Sequence, residues 1–240
     1  MKSKITMFTI IAFTIFLLSC TKKSPSLRNP TVTDADGHTY ETITIGKQVW
    51  MKQNLRVGQF ADKTPIPTNL NNDAWIKNKT GACANYDGDP NMDIICGKLY
   101  NYYAIERGLW LPEGWRIATV EDWDELNAFL DITKETSGDK LKTRWGWDKI
   151  DDDGNNVEFL PNPSINNNSS GFSALPSGIR NMEDTYFEDR RGAYFWTYPY
   201  DNKKSTFPTC YMLGYNYPNL AGCDNYSKRF GMSVRCIKIQ

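Results

Sequence analysis

The chain has 240 residues, with 28 basic and 28 acidic side chains and one histidine. A balanced charge with no basic block lacks the electrostatic footprint of a nucleic-acid binder, so no nucleic-acid partner is expected. A lone His38 makes a Ser-His-Asp triad or a multi-histidine metal site hard to build.

Lys2 and Lys4 precede an uncharged apolar run over residues 5–18. A basic start, a short apolar stretch and a small residue at the cut site describe a secretory signal, expected over residues 1–19. The run is about 15 residues, short of the ~20 that a helix needs to cross a hydrocarbon core. Leu17-Leu18-Ser19-Cys20 resembles the lipobox of bacterial lipoproteins. That resemblance implies cleavage before Cys20 and acylation of its thiol, with chains such as palmitate. Two or three acyl chains hold a protein far better than one. The implied partner is a membrane, and the expected location is the cell envelope, at the outer membrane. Thr21, Lys22 and Lys23 lack the acidic run that resembles the surface-export signal of Bacteroidetes-type lipoproteins, which tilts the anchor toward the periplasmic face. Residues 20–30 are polar and interrupted by Pro25 and Pro30, and read as a lipidated tether. Without Lys2 and Lys4 the mature chain carries 26 basic against 28 acidic side chains, a net charge near −2.

One domain over residues 31–240 is expected to follow. It opens on an Asp34-Ala35-Asp36-Gly37 turn. Tyr40, Thr42 and Thr44 then alternate with Glu41, Ile43 and Ile45, and Gly46-Lys47 turns the chain into Val49-Trp50-Met51. The period of two predicts a β-hairpin. Asp34 and Asp36 begin a run like a calcium loop, but the remaining ligands of an EF-hand are missing, so an Asp-Gly turn is expected and no metal or cofactor. Apolar spacing predicts a short helix over residues 99–105, ended by Gly108. A second helix is predicted over residues 119–130. Thr119 and Asp122 form its capping box, and Trp123, Leu126, Phe129 and Leu130 lie on one face. Residues 145–171, with Trp145 and Trp147 at the start, read as a long loop. Strand-like pieces recur at residues 172–175, 192–198, 209–213 and 232–239. The fold class is α+β: two helices against small antiparallel sheets, with long loops.

Five cysteines remain besides Cys20. Cys83 with Cys96, and Cys210 with Cys223, each flank a turn-rich excursion and are expected to form disulfides. Cys236, inside an apolar strand, is expected to be a buried free thiol. No CxxC pair occurs, which argues against zinc.

Four stretches, taken in order, resemble the Fibrobacter succinogenes major paralogous domain family. The first is Asp34 to Gly37 with Ile45-Gly-Lys-Gln-Val-Trp-Met-Lys-Gln-Asn-Leu55. The second is Gly97-Lys-Leu-Tyr-Asn-Tyr-Tyr-Ala104 with Leu111-Pro-Glu-Gly-Trp-Arg-Ile-Ala-Thr119 and Trp123. The third is Gly171-Phe-Ser-Ala-Leu-Pro-Ser-Gly-Ile-Arg180. The fourth is Tyr194-Phe-Trp-Thr197 with Gly231-Met-Ser-Val-Arg-Cys236. The resemblance implies a secreted or lipid-anchored protein. It also implies kinship with the C-type-lectin-like and formylglycine-generating-enzyme-like folds, which wrap two helices and small antiparallel sheets around a long loop region and bring the chain ends together. Formylglycine-generating enzymes hold copper with cysteines, but the expected bridges consume four thiols here.

Sugar sites stack rings on aromatic side chains and bind hydroxyls with Asn, Asp and Arg. Tyr198, Tyr200, Tyr215, Asn216, Tyr217 and Asn225 are therefore the ligand-binding candidates, in a segment that takes the place of the variable loop of lectin-like folds. Tyr217-Pro218-Asn219 lacks the acidic or amide residue before Pro-Asn that calcium-dependent lectins use. Glu113, Glu121 and Asp122 cluster near a helix start, where capping and dipole effects account for them, and no catalytic residue is assigned. Arg180 and Arg235 are expected to hold strands together. The expected function is an envelope-anchored, non-enzymatic binding or interaction module, with a glycan or an envelope protein as ligand. The alternatives are a hydrolase or modifying enzyme of the same superfamily, or a purely structural envelope protein.

Overall fold

The computed structural model describes residues 29–133, 135–147, 149–150, 156–157, 166–181, 186–187, 191–198, 207–224 and 226–240. Cys20, the signal and most of the tether, as well as Tyr200 and Asn225, lie outside the described residues. No helix among the described residues is long and apolar enough to cross a membrane.

The first half runs β1 Thr31–Thr33, β2 Thr39–Ile45, β3 Gln48–Met51, α1 Asn72–Lys77, β4 Cys83–Asn85, α2 Asp93–Cys96, β5 Lys98–Asn101, α3 Tyr102–Arg107 and β6 Trp115–Ile117. The second half runs α4 Val120–Leu130, α5 Ser137–Leu141, β7 Lys149–Ile150, β8 Asn156–Val157, β9 Ile179–Arg180, β10 Tyr186–Phe187, β11 Gly192–Trp196, β12 Cys210–Gly214, β13 Ala221–Cys223, β14 Gly231–Met232 and β15 Cys236–Lys238. The fold is α+β, with small antiparallel sheets and few helices.

One sheet has the order β1-β2-β3-β15-β6, so the last strand sits between the first hairpin and β6. Its register pairs Ile237 with Trp50 and Cys236 with Ile117. A second sheet runs β10-β9-β14-β5-β4, and a third β11-β12-β13. Residues 233–235 carry the chain from the second sheet into the first. Ser233 also bridges Phe195 of the third, so these three sheets meet beside Arg235, apart from the two-stranded β7–β8 pair. The hairpin forms as expected: Ile45 pairs with Gln48, leaving Gly46-Lys47 as a two-residue loop. Gly46 takes φ +61, which this tight connection requires and glycine supplies without strain.

Among the described residues, two large clusters and a small one around Trp75 fill the interior. The first gathers Tyr40, Met51, Tyr100, Tyr102, Trp196 and Cys236. The second gathers Trp50, Trp123, Phe172, Phe195 and Tyr211. α4 belongs to the second. Thr119 caps it, accepting from the Asp122 amide at 3.3 Å while the Asp122 carboxylate accepts from the Thr119 amide at 2.7 Å. Arg116 grips that carboxylate with both Nη atoms. Burial pushes the Asp122 carboxyl upward, but the hydrogen bonds from Arg116 and Thr119 outweigh it and hold the group below its ordinary value.

Several expectations need correction. The inward stripe of α4 is Trp123, Leu126 and Asn127, while Phe129 is 62% exposed and lies across Gly46. Residues i, i+3 and i+4 share a helix face, and 129 has rotated off it. The helix expected from residue 99 begins at Tyr102. Lys98–Asn101 is a strand, because β4 and β14 are there to pair with it, and Asn101 caps α3 by accepting from the Ala104 amide at 3.1 Å. Residues 172–175 form no strand, only a parallel bridge from Ala174 to Lys142. The run 232–239 splits into β14 and β15 in different sheets.

Cys83 and Cys96 are free and buried, not bridged. Cys83 sits opposite Tyr100 in the β4–β5 ladder. Cys96 ends α2, before Gly97 turns the chain into β5, so the register does not set it opposite Cys83. Cys236 is free and buried, as expected. Burial pushes all three thiols up, Cys83 and Cys96 to about 11 and Cys236 to about 12, so none is a nucleophile at neutral pH. Cys210 and Cys223 are bonded, and they face each other directly in the β12–β13 ladder. Their sequence separation is 13. Replacing both by alanine is expected to lower the unfolding free energy by about 3 kcal/mol, through lost restriction of the unfolded chain. Urea titrations of the two proteins check this, and a shift below about 0.5 kcal/mol would rule it out.

Candidate ligand-binding cleft

The described ligand-binding candidates of the late segment lie at opposite ends of the third sheet. Tyr198, 39% exposed, follows β11 at the Trp196–Cys210 end of the β11–β12 ladder. Tyr215, Asn216 and Tyr217 turn at the Gly192–Gly214 end, roughly 13 Å away along the ladder. Tyr215 is half-buried and packs on the second cluster, while Asn216 and Tyr217 are exposed. The turn is clamped: the buried Lys142 donates to the Gly214 carbonyl at 3.1 Å and the Tyr217 carbonyl at 2.7 Å. Burial holds the Lys142 pKa below its ordinary value, and Asp139, 3.1 Å away, partly offsets this.

Asp34, Asp36 and His38 bring ligand atoms within 4.8 Å of one another. Their oxygens are already engaged. Asp34 Oδ1 accepts from the Asp36 and His38 amides at 3.0 and 2.9 Å, and its Oδ2 accepts from Tyr40 Oη at 2.6 Å and faces His38 Nδ1 at 3.1 Å. Asp36 accepts from the Gly58 amide and from Gln59 Nε2. The group is a hydrogen-bonded turn that ties the domain's start to residues 58–59. His38 is its member, not an isolated surface histidine.

A cleft of about 420 Å³ opens elsewhere, between β3, α2, the turn after α5 and the loop before β9. That volume is within the usual range for small-ligand sites. Lys52, Gln53 and Asn54 follow β3 along one side. Ile94 and Ile95 of α2, 71% and 44% exposed, form an apolar wall. Gly97 lets α2 close on this side: at φ +73, a Cβ there would come within 2.6 Å of Asn54 Cβ. The Asn54 amide donates to the Cys96 carbonyl at 2.8 Å and to Ser233 Oγ at 3.1 Å, joining the wall to the sheet junction.

Trp145 lines the cleft with 55% of its surface exposed. Its backbone is firmly placed. Thr143 Oγ1 donates toward the Trp145 carbonyl at 2.6 Å and accepts from Trp147 Nε1 at 3.1 Å, and the Thr143 amide donates to the Ala174 carbonyl at 2.9 Å. Asn168 and Ser173, also lining residues, take φ +47 and +61. Asn168 stabilises that loop, accepting from the Ser173 amide at 2.9 Å and donating to Ser173 Oγ at 3.0 Å. Positive φ at a non-glycine residue stores strain, and such strain concentrates where loops bind ligands.

Arg235 closes the cleft's inner end at 1% exposure. As expected, it holds strands together. Nε donates to Asn54 Oδ1 at 3.0 Å, and Nη1 donates to the Met51, Lys52 and Phe172 carbonyls at 2.9, 2.6 and 2.9 Å. Its guanidinium stacks 4.2 Å from the Phe172 ring centroid. Burial pushes its pKa down to about 9, so the group remains a cation at neutral pH. Lys52 pairs with Glu41 at 2.7 Å, and Arg144 donates from Nε to the Asn167 carbonyl at 3.1 Å. No Asp or Glu is among the described residues that line the cleft.

Of the described candidates, Tyr198, Tyr215, Asn216 and Tyr217, none lines this cleft. The residues that do had only faint signals in sequence. Trp145 stood out as a large aromatic in a polar stretch, and Ile94-Ile95 as an apolar pair after a turn-rich loop, but nothing local joined them. A family model described as Fibrobacter succinogenes major domain matches residues 43–238. No curated protein and no solved structure matches the chain.

Proposed function

The chain belongs to the Fibrobacter succinogenes major domain family, and from its cleft we propose that it is a non-enzymatic, saccharide-binding module held in the cell envelope by a lipid on Cys20. The observation that carries the binding reading is Trp145: a half-exposed indole on the wall of a cleft whose polar groups are amides, hydroxyls and cations, set beside the apolar Ile94 and Ile95. An indole face stacks on the apolar face of a sugar ring, while Gln53, Asn168 and Ser173 are of the type that bonds sugar hydroxyls. Thr143 fixes the Trp145 backbone, so the segment that carries the indole needs little ordering on binding.

The lining speaks against the hydrolase alternative. Glycoside hydrolysis needs two carboxyl groups across the scissile bond, and the described lining has none. A nucleophilic thiol is also missing from the lining, since Cys236 is fully buried in the core. For the fold, the union of the first hairpin and the last strand in one sheet supports the C-type-lectin-like reading. An acyl anchor at Cys20, through a tether of about ten residues, would keep the domain close to the membrane, which suits a module that captures envelope or extracellular glycans.

A panel of glycans and peptidoglycan fragments, titrated calorimetrically against the full chain, tests the reading. Trp145→Ala is expected to weaken the bound ligand about ten-fold or more, near 1.4 kcal/mol. Tyr217→Ala, on the turn after β12, is expected to leave affinity unchanged. Binding that survives Trp145→Ala but is lost in Tyr217→Ala would move the site to that turn, and silence across the panel would end the saccharide reading.

A further inference from the structure

The cleft is cationic without being paired inside. Arg235 is 1% exposed, yet each of its hydrogen bonds runs to a carbonyl or an amide oxygen, and no carboxylate faces it among the described residues. A buried cation normally has an anionic partner, because the desolvation it suffers is otherwise uncompensated. Nε and Nη1 are engaged, whereas Nη2 donates to none of the described residues. The guanidinium therefore keeps one donor corner free at a residue that lines the cleft. Arg144 lines the same cleft, is exposed, and among the described residues bonds only through Nε. Lys52 brings a third cation to the lining, and its partner Glu41 lies outside it.

We propose that the cleft selects saccharides that carry a carboxylate, such as uronic-acid oligosaccharides, with the ligand carboxylate received at the Nη2 corner of Arg235 beside Arg144 and Lys52. The inference rests on the saccharide reading and adds to it the charge of the ligand. A carboxylate accepts charge-assisted hydrogen bonds from a guanidinium and supplies the anion that Arg235 lacks. The adjacent Trp145 face and the Gln53, Asn168 and Ser173 groups distinguish an acidic sugar from a small free carboxylate, which would engage only the charged end.

The test titrates the full chain with tetragalacturonate, a hyaluronan tetrasaccharide and an alginate oligosaccharide, each beside its carboxyl-reduced neutral counterpart and a sulfated tetrasaccharide that carries no carboxylate. At least one uronate is expected to bind about ten-fold tighter than its reduced form, with affinity falling as salt is raised. Arg144→Ala, a change at an exposed residue that leaves the core intact, is expected to remove most of that preference. Equal binding of the acidic and reduced sugars would overturn the proposal while leaving saccharide binding standing. A sulfated sugar binding as well as the uronate would overturn carboxylate selection. Binding of no sugar, acidic or neutral, would overturn both readings.

Discussion

Trp123→Ala is expected to lower the free energy of unfolding by about 3–5 kcal/mol, the range for emptying a fully buried aromatic site. Trp123 is 0% exposed and sits at the hub of the second cluster. Its ring lies 4.9 Å from Trp50, 5.1 Å from Phe195 and 5.5 Å from Tyr211 between centroids. It thereby joins α4 to the first sheet and to the third, so the void could be closed only by moving elements that are held by their own ladders. The indole Nε1 is buried with no hydrogen-bond partner among the described residues, which makes the contribution one of packing. Trp123→Phe should accordingly recover much of the loss. Chemical denaturation of the three proteins separates these cases, and a loss below about 1 kcal/mol for the alanine variant would show that the cluster can collapse around the gap.

Arg235→Met should cost about 3–5 kcal/mol, for a different reason. Methionine fills similar space and removes the penalty of burying a cation. It also strands the acceptors that Arg235 serves: the Met51, Lys52 and Phe172 carbonyls and Asn54 Oδ1, each buried or nearly so. An unsatisfied buried acceptor costs about 1–3 kcal/mol, and several at one junction outweigh the relief from desolvation. Arg235→Lys retains the charge but cannot reach four acceptors with the same planar fork, so a partial loss is expected. Should Arg235→Met match the wild-type urea midpoint, the hydrogen bonds would be shown to be structurally dispensable, and the arginine's place at the cleft would be left to explain its presence.

Much of the fold was legible because it follows from contacts close in sequence. The alternation from Tyr40 to Ile45 with Gly46-Lys47 yields the hairpin from the side-chain period and the turn chemistry alone. Thr119 and Asp122 cap α4 within a single turn, so the capping box could be read from two residues three apart. The β5 segment was misread as helix because Leu99 and Tyr100 fit either period. Only the partners on both sides, β4 and β14, make the strand the better solution. The same limit explains the cysteines. Flanking a loop suggested a bridge at both pairs, but only the β12–β13 register places two cysteines opposite each other, whereas the β4–β5 register sets Cys83 against Tyr100.

Sequence by itself thus determined the family, the α+β class, the first hairpin and the capped helix, since each is written in a single segment or in an ordered set of motifs. The tertiary structure alone decided where a ligand can sit. Lys52, Ile94, Trp145, Asn168 and Arg235 come from five separate segments, and their meeting depends on the last strand entering the first sheet between β3 and β6. Local periodicity reports which face of an element is apolar. It does not report which elements end beside one another, so it pointed to the dense run of tyrosines, which the β11–β12 ladder holds apart, and passed over one exposed tryptophan that the fold sets against a buried, anion-free arginine.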